Sequence, residues 1–228
     1  MTASGDVLAK LGKALAVHGL VLRGGFDFSP DDHIPTTETG KPARSVLLIG
    51  NAGGAFWPHF KRWCQDQPVD LKNPLDTWSR ETMERAATGQ GVTFVSPSDK
   101  PFMPFQQWAM RAERLRPSPL GILMHPQWGL WHAYRGALLF DSRLGLPEPR
   151  LTEHLCDACV AKPCLTACPV EAYTAIRFDH AGCLGHVRGQ GSRCRDQGCL
   201  DRNACPYGTE HRYPAEMQAF IMRAYAGV

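Results

Sequence analysis

The apolar residues of this chain recur in two rhythms, and the changes between them mark out its elements. Val7, Leu8, Leu11 and Leu15 return at the spacing of one helix face, with Ser4 and Asp6 placed to cap its start and Gly19 to end it. A short apolar segment follows at 20–22. The continuous apolar run 46–49 leads into Gly50-Asn51-Ala52-Gly53-Gly54, after which Phe56, Phe60, Trp63 and Cys64 recur with helical period. This stretch reads as strand, turn and helix. The glycine turn has the spacing of neither the dinucleotide loop nor the nucleoside-triphosphate loop, so it reads as a plain tight turn. Residues 74–87 form a second helical pattern with Leu75, Trp78, Thr82 and Ala86 on one side, and a strand pattern follows at 92–95. A further helix over 105–115 breaks at Pro117 and Pro119, before the apolar stretch 120–124. Alternating helices and strands make this half α/β or α+β. Cys64 lies on the apolar face of its helix and reads as core.

From Leu123 the pattern changes again. Residues 123–140 combine a strand end, a turn at Pro126 and Gly129, and a returning strand after Gly136. At the other end of the chain, residues 214–225 read as a helix entered at Pro214, with Met217, Phe220, Ile221 and Tyr225 as its packing face.

Composition changes the picture at one place. Of nine cysteines, all but Cys64 fall between Cys156 and Cys205, and the first four are spaced Cys156-x2-Cys159-x4-Cys164-x3-Cys168-Pro169. Closely spaced thiolates followed by one that leaves on Cys-Pro suit the short wrapped loop of an iron-sulfur cube. Eight ligands make two 4Fe-4S clusters. In two-cluster ferredoxins the fourth cysteine of each run serves the other cluster. By that rule Cys156, Cys159, Cys164 and Cys205 hold one, and Cys168, Cys183, Cys194 and Cys199 hold the second. The second run is irregular, with ten residues between Cys183 and Cys194, four before Cys199 and five before Cys205-Pro206. Structural zinc, and one cluster beside four ordinary thiols, therefore stay open as alternatives. A disulfide framework needs an oxidising compartment, and the start of the chain lacks the basic and apolar run of a signal peptide.

Charge and length narrow the function further. The chain has 228 residues, 43% hydrophobic and 21% charged, which is ample for a core. No apolar run approaches the ~20 residues of a membrane helix, so a cytoplasmic protein is expected. A formal net charge of +3, with basic residues scattered singly, offers no stripe for phosphates and implies no nucleic-acid partner.

The run His125-Pro126-Gln127-Trp128-Gly129-Leu130-Trp131, followed by Arg135-Gly136 and an apolar strand, resembles cobalamin-processing proteins that decyanate and dealkylate incoming cobalamins. Epoxyqueuosine reductases and reductive dehalogenases belong to the same superfamily, and both carry two 4Fe-4S clusters after the cobalamin domain, the order seen here. The resemblance extends over about residues 44–140. It implies an α+β, nitroreductase-like domain over 1–150, a ferredoxin-like dicluster domain over 151–213 and a C-terminal helix over 214–228. It also implies a corrinoid, cobalamin, bound with its lower base displaced. Matched residue by residue, His125, Pro126, Gly129, Trp131, Arg135 and Gly136 are the cofactor-binding candidates, and His132 or Tyr134 is the candidate proton donor at cobalt. Gln127 stands where the cobalamin-processing proteins carry a basic residue, and no residue matches the acidic proton donor of epoxyqueuosine reductases. The expected function is an iron-sulfur redox protein that takes electrons from a redox partner protein and passes them to the corrinoid. A ferredoxin relaying electrons between proteins, and a flavin in the same fold, are the other readings.

Overall fold

These patterns take shape in a computed structural model that describes residues 3–174 and 176–228. The chain folds as two compact units, one made of residues up to Arg114 together with 133–151, the other of 115–132 together with 152–228.

In the first unit, the helical rhythm near the start forms α1 (Ala3–Ala16), with Leu11 and Leu15 fully buried and Gly19 at φ +70° just beyond its end. The capping role expected of Ser4 lies outside the described residues. Strands β1 (Val21–Asp27) and β2 (Ser45–Ala52) pair antiparallel. The continuous apolar run of β2 has a direct cause: the strand is buried from Ser45 through Asn51, so neither face is free for polar side chains. The turn at Gly53 and Gly54 leads into α2 (Trp57–Cys64), and the Asn51 amide donates to the Gly53 carbonyl at 2.9 Å, tying the turn back to the strand. Helix α3 (Pro74–Ala87) has the expected bounds, but its buried face is Trp78, Ser79, Thr82, Met83 and Ala87 rather than the stripe through Leu75 and Ala86. Trp78 explains the rotation: its ring packs against Phe56 and Phe60 at 5.5 and 5.9 Å. Strand β3 (Thr93–Val95) and helix α4 (Phe105–Glu113) follow.

Two short strands, β4 (Arg116–Pro117) and β5 (Leu123–Met124), then pair with each other. The returning strand β6 (His132–Phe140) begins four residues before Gly136, earlier than expected, and pairs antiparallel with β3. The main sheet has the order β1-β2-β6-β3. Helices segregated against an antiparallel-paired sheet make the architecture α+β.

One buried ion pair organises the first unit. Arg23, at an irregularity in the β1–β2 register, is fully buried and pairs with Glu113 at the end of α4, Nη2 to Oε2 2.5 Å and Nε to Oε1 2.7 Å. The same carboxylate accepts the Gly24 N–H at 3.0 Å and the Tyr134 hydroxyl at 2.5 Å. A side chain at Gly24 would meet the Ala112 carbonyl at 2.4 Å, so only glycine lets α4 lie this close to β1. Burial pushes the Glu113 carboxyl up. The bond and charge of Arg23, then Tyr134 and the Gly24 N–H, more than offset it, and the group sits below its ordinary range.

A depressed carboxylate stabilises the fold above its unfolded pKa of about 4.3, and that stability is lost as pH falls through the folded value. Glu113→Gln is expected to cost about 3–5 kcal/mol at pH 7, because it strands the buried Arg23. In urea denaturation at pH 7 and pH 4, the wild type should lose more stability than Glu113→Gln between the two pH values.

Candidate metal centre

The cysteine-rich part of the second unit has little regular structure, and short helices set its thiols. Cys156 sits in the single turn α5 (Leu155–Ala158), and Cys159 ends it. Lys162, at φ +43°, turns the chain into a 3₁₀ turn at Pro163–Leu165 that carries Cys164. Helix α6 (His180–Arg188) presents Cys183 and is capped by Asp179, which accepts from the Gly182 N–H at 3.0 Å. Ser192 caps α7 (Arg193–Gln197), which carries Cys194. Helix α8 (Leu200–Ala204) is bracketed by Cys199 before it and Cys205 after it, and α9 (Ala215–Ala226) closes the chain. The Ser and Asp caps are the local sequence signals that start α6 and α7.

The thiols divide into two neighbourhoods. Cys156, Cys164 and Cys205 are buried with Leu120, Met124 and Leu130. Cys183 and Cys194 pack with Val187, Leu184, Leu200, Met222 and Ala226. Electrostatics draws the same line. Burial pushes the Cys156 thiol up to about 11, and the neighbouring Cys205, Cys164 and Cys159 add to it. Cys164 is raised by burial and then by Cys205 and Cys159. In the other group burial raises Cys183, with Cys168 and Cys194 contributing, while Cys199 is raised to about 11 by burial, with Asp201 and Cys194 contributing. The cysteine neighbours that raise Cys156 and Cys164 all come from Cys156, Cys159, Cys164 and Cys205, and those that raise Cys183 and Cys199 from Cys168 and Cys194.

No disulfide joins any of the nine cysteines. Among the described residues, no three His, Cys, Asp or Glu side chains converge closely enough to hold a single metal ion. Thiols that burial and mutual repulsion keep protonated become thiolates when a bound cation supplies the missing positive charge. A tetrahedral zinc site would need sulfurs within about 4 Å of one another. A cube, with iron and sulfide between its ligands, takes more widely spaced thiolates, and the donor set each neighbourhood offers it is one of buried thiols.

The His125-Pro126 turn belongs to the same unit. His125 and Gly129 exchange backbone hydrogen bonds at 2.9 Å, and His125 Nδ1 accepts the N–H groups of Gln127 and Trp128 at 3.1 Å. The His125 and Trp128 rings stack at 3.9 Å. Gly129, at φ +56°, has the Tyr207 carbonyl 2.3 Å from where a Cβ would stand, and a Cβ at Gly208, at φ +66°, would meet the Trp128 backbone at 2.5 Å. The turn is thus pressed backbone to backbone against the segment that leaves Cys205-Pro206. Pro126, at its tip, is exposed.

Trp131 is fully buried, not lining an open pocket. Arg202 and Arg212 lie over its ring at 4.7 and 5.6 Å, and Tyr213 meets it edge-on at 5.4 Å. His132 is buried as well, with Nε2 2.9 Å from the Leu123 carbonyl, to which it donates.

The rest of the motif lies in the first unit. Tyr134 donates to Glu113, and Arg23 lies over its ring at 4.5 Å. Burial drives its hydroxyl far above the ordinary tyrosine range, so it stays protonated and bound. Arg135 donates from Nε to the Asn51 Oδ1 at 3.1 Å, lies over the Phe56 ring, and lines a cavity of about 340 Å³ with Asp76, Ser79, Ser96 and Ser98. Within it the Ser79 hydroxyl is buried without a hydrogen-bond partner. Gly136 makes room for Phe94, whose ring a Cβ would strike at 2.3 Å. Sequence reasoning missed Arg23, Glu113 and the cavity serines, because nothing local in the sequence joins positions so far apart. It also missed Asp201, a buried carboxyl beside the thiols that burial pushes up to about 6.

No protein-family model matches the sequence, and no curated protein matches it. Solved structures do share its fold. The B12-trafficking protein CblC of C. elegans, a human MMACHC homologue, is 13% identical with a TM-score of 0.50, and the match covers 98% of this chain and 96% of that one. An epoxyqueuosine reductase of Streptococcus thermophilus is 14% identical with a TM-score of 0.56, covering 92% and 68%. Another epoxyqueuosine reductase, solved with an epoxyqueuosine-modified tRNA stem loop, is 13% identical with a TM-score of 0.54, covering 95% and 69%. At these identities the likeness is one of fold. Because one of these folds holds a tRNA stem loop, the expected lack of a nucleic-acid partner does not follow from the architecture. No helix among the described residues is long and apolar enough to cross a membrane.

The glycine contacts are directly testable. Gly129→Ala and Gly208→Ala should each destabilise the protein by more than about 1 kcal/mol, since both positions have positive φ and no room for a methyl. Thermal unfolding of the two variants against Gly145→Ala, whose Cβ would meet nothing within 4 Å despite the same sign of φ, separates steric from conformational cost.

Proposed function

We propose that this chain is an iron-sulfur redox protein whose second unit holds two 4Fe-4S clusters and delivers single electrons to a corrinoid, as a cobalamin reductase or a cobalamin-dependent reductase. The observation that carries this reading is the division of eight cysteines into the two groups of four expected of crossed ferredoxin pairing. Fold likeness to a B12-trafficking protein and to epoxyqueuosine reductases supports the corrinoid. On this reading the nitroreductase-like part is 1–150, the ferredoxin-like part 151–213 and the closing helix 214–228, and the protein meets its redox partner in the cytoplasm.

Bound clusters would supply one-electron chemistry, and the chain's own residues do the rest. Cys156, Cys159, Cys164 and Cys205 hold one, with the Lys162 ammonium bonded to the Cys156 carbonyl beside them. Cys168, Cys183, Cys194 and Cys199 hold the other. Leu120, Met124 and Leu130 keep water from the first group, which favours electron over proton movement. On this reading His125, whose Nδ1 accepts the Gln127 and Trp128 N–H groups and so leaves the neutral ring's proton on Nε2, would offer that N–H to the cofactor. Arg135 and the cavity serines offer donors for a polar side chain of a cofactor or a small substrate. Trp131 and Tyr134 act as packing and as a ligand of Glu113, and the proton-donor role does not pass to Tyr134.

Anaerobic reconstitution should load about eight irons per chain, with Cys156→Ser and Cys183→Ser each losing about half. Titration of the loaded protein with cob(II)alamin should saturate with loss of the lower base, followed by absorption and electron-spin signals. Full clusters without cobalamin binding would leave a ferredoxin that relays electrons between proteins.

A further inference from the structure

Polar groups gather in one cavity of the first unit, the space of about 340 Å³ beside Arg135, and part of their hydrogen-bonding capacity is unspent. Helix α3 supplies Asp76 and Ser79, three residues apart and so on one face, and the loop after β3 supplies Ser96, Pro97 and Ser98. That loop is fixed in place: the Asp99 carboxylate accepts the Ser96 N–H at 2.7 Å and pairs with Arg80 of α3. Strand β6 supplies Tyr134 and Arg135, with the Tyr134 hydroxyl committed to Glu113 and the Arg135 Nε to Asn51.

The hydroxyls and charges of the wall select a ligand. Ser79 is 3% exposed, and its hydroxyl has no hydrogen-bond partner. A buried hydroxyl left unpaired is a penalty that a bonded ligand removes. The Ser96 and Ser98 hydroxyls lie 2.9 Å apart, and the Ser98 N–H donates to Ser96 Oγ at 3.4 Å. One bond between two hydroxyls uses one of their two hydrogens, so the pair keeps another to donate. Asp76 is exposed and adds a carboxylate acceptor, while Arg135 adds a guanidinium, so the wall carries one charge of each sign. A simple anion meets Asp76, and a simple cation meets Arg135. A zwitterion gives up the hydration of two ions. An uncharged group that holds an acceptor and donors in one plane meets none of these costs.

We propose that this cavity binds a small uncharged molecule bearing a primary carboxamide, with its carbonyl toward Arg135 and the serine hydroxyls and its NH₂ toward Asp76. The space suits a small molecule and is too small for a corrin ring. The site rests on the small-substrate reading of this cavity given above and needs neither cluster nor corrinoid.

The test is a nuclear magnetic resonance titration of the isotope-labelled full chain with four probes of similar size: propionamide, propionate, propylammonium and β-alanine. Propionamide should shift the backbone amide signals of Ser79, Ser96 and Ser98 and the Arg135 Nε signal, with a dissociation constant on the order of millimolar, as suits so small a probe. The three charged probes should bind at least about tenfold more weakly. Ser79→Ala should weaken propionamide about fivefold without lowering the melting temperature, because the hydroxyl it removes bonds nothing in the free protein. Asp76→Asn should raise the affinity for propionate. Shifts that miss these residues, a charged probe that binds as tightly as propionamide, propionamide affinity unchanged in Ser79→Ala, or no gain for propionate in Asp76→Asn would each overturn the proposal. Displacement of propionamide by cobalamin would overturn it too, by making the cavity part of a corrinoid site. Cobalamin that binds nowhere would sink the corrinoid reading and leave this site standing.

Discussion

Negative charge with nowhere to go is the constraint on which the second unit depends. Burial raises the pKa values of six of its thiols, Cys156, Cys164, Cys183, Cys194, Cys199 and Cys205, five of them packed among Leu, Met and Val side chains, and each thiolate would repel the next. Asp201 adds a further buried acid, facing the backbone N–H groups of Ala167 and Cys168. Such a collection has no stable ionised form by itself. A cationic centre bound in either neighbourhood, as the proposed function has it, would turn the same burial from a penalty into ligation, and folding would then be coupled to loading.

The turn around His125 and Gly129 gains its meaning from the same region. Its backbone closes against Tyr207 and Gly208, two glycines at positive φ making the approach possible. A motif that resembles the cofactor-binding loop of a known superfamily is therefore also a structural clasp on the chain leaving Cys205. Trp131 shows the principle most clearly: a residue matched to a pocket is enclosed by two arginines and a tyrosine.

The first unit rests on a different device. Arg23, Glu113 and Tyr134 come from β1, α4 and β6 and meet with full burial of the guanidinium. A buried pair of this kind contributes less net stability than its short distances imply, because both ions give up hydration. Its stronger effect is on geometry. It fixes α4 against β1 and leaves Arg135, the next residue along β6, beside Asn51 and the cavity serines.

Local order was largely legible in the sequence. The bounds of α3, the strand at 46–49, the turn after it and the C-terminal helix follow from periodicity, proline and glycine, which act within a few residues. The crowding of eight of the nine cysteines between Cys156 and Cys205 was legible because it is a matter of spacing alone. The stripe of α3, the early start of β6 at His132, the burial of Trp131 and the engagement of Tyr134 were not, since each is decided by a partner far along the chain. Sequence by itself determined which residues carry the chemistry of sulfur and where the chain turns. Only the tertiary structure decided which polar side chains are bound to one another and which face a cavity, because burial and long-range hydrogen bonding arise when distant segments pack.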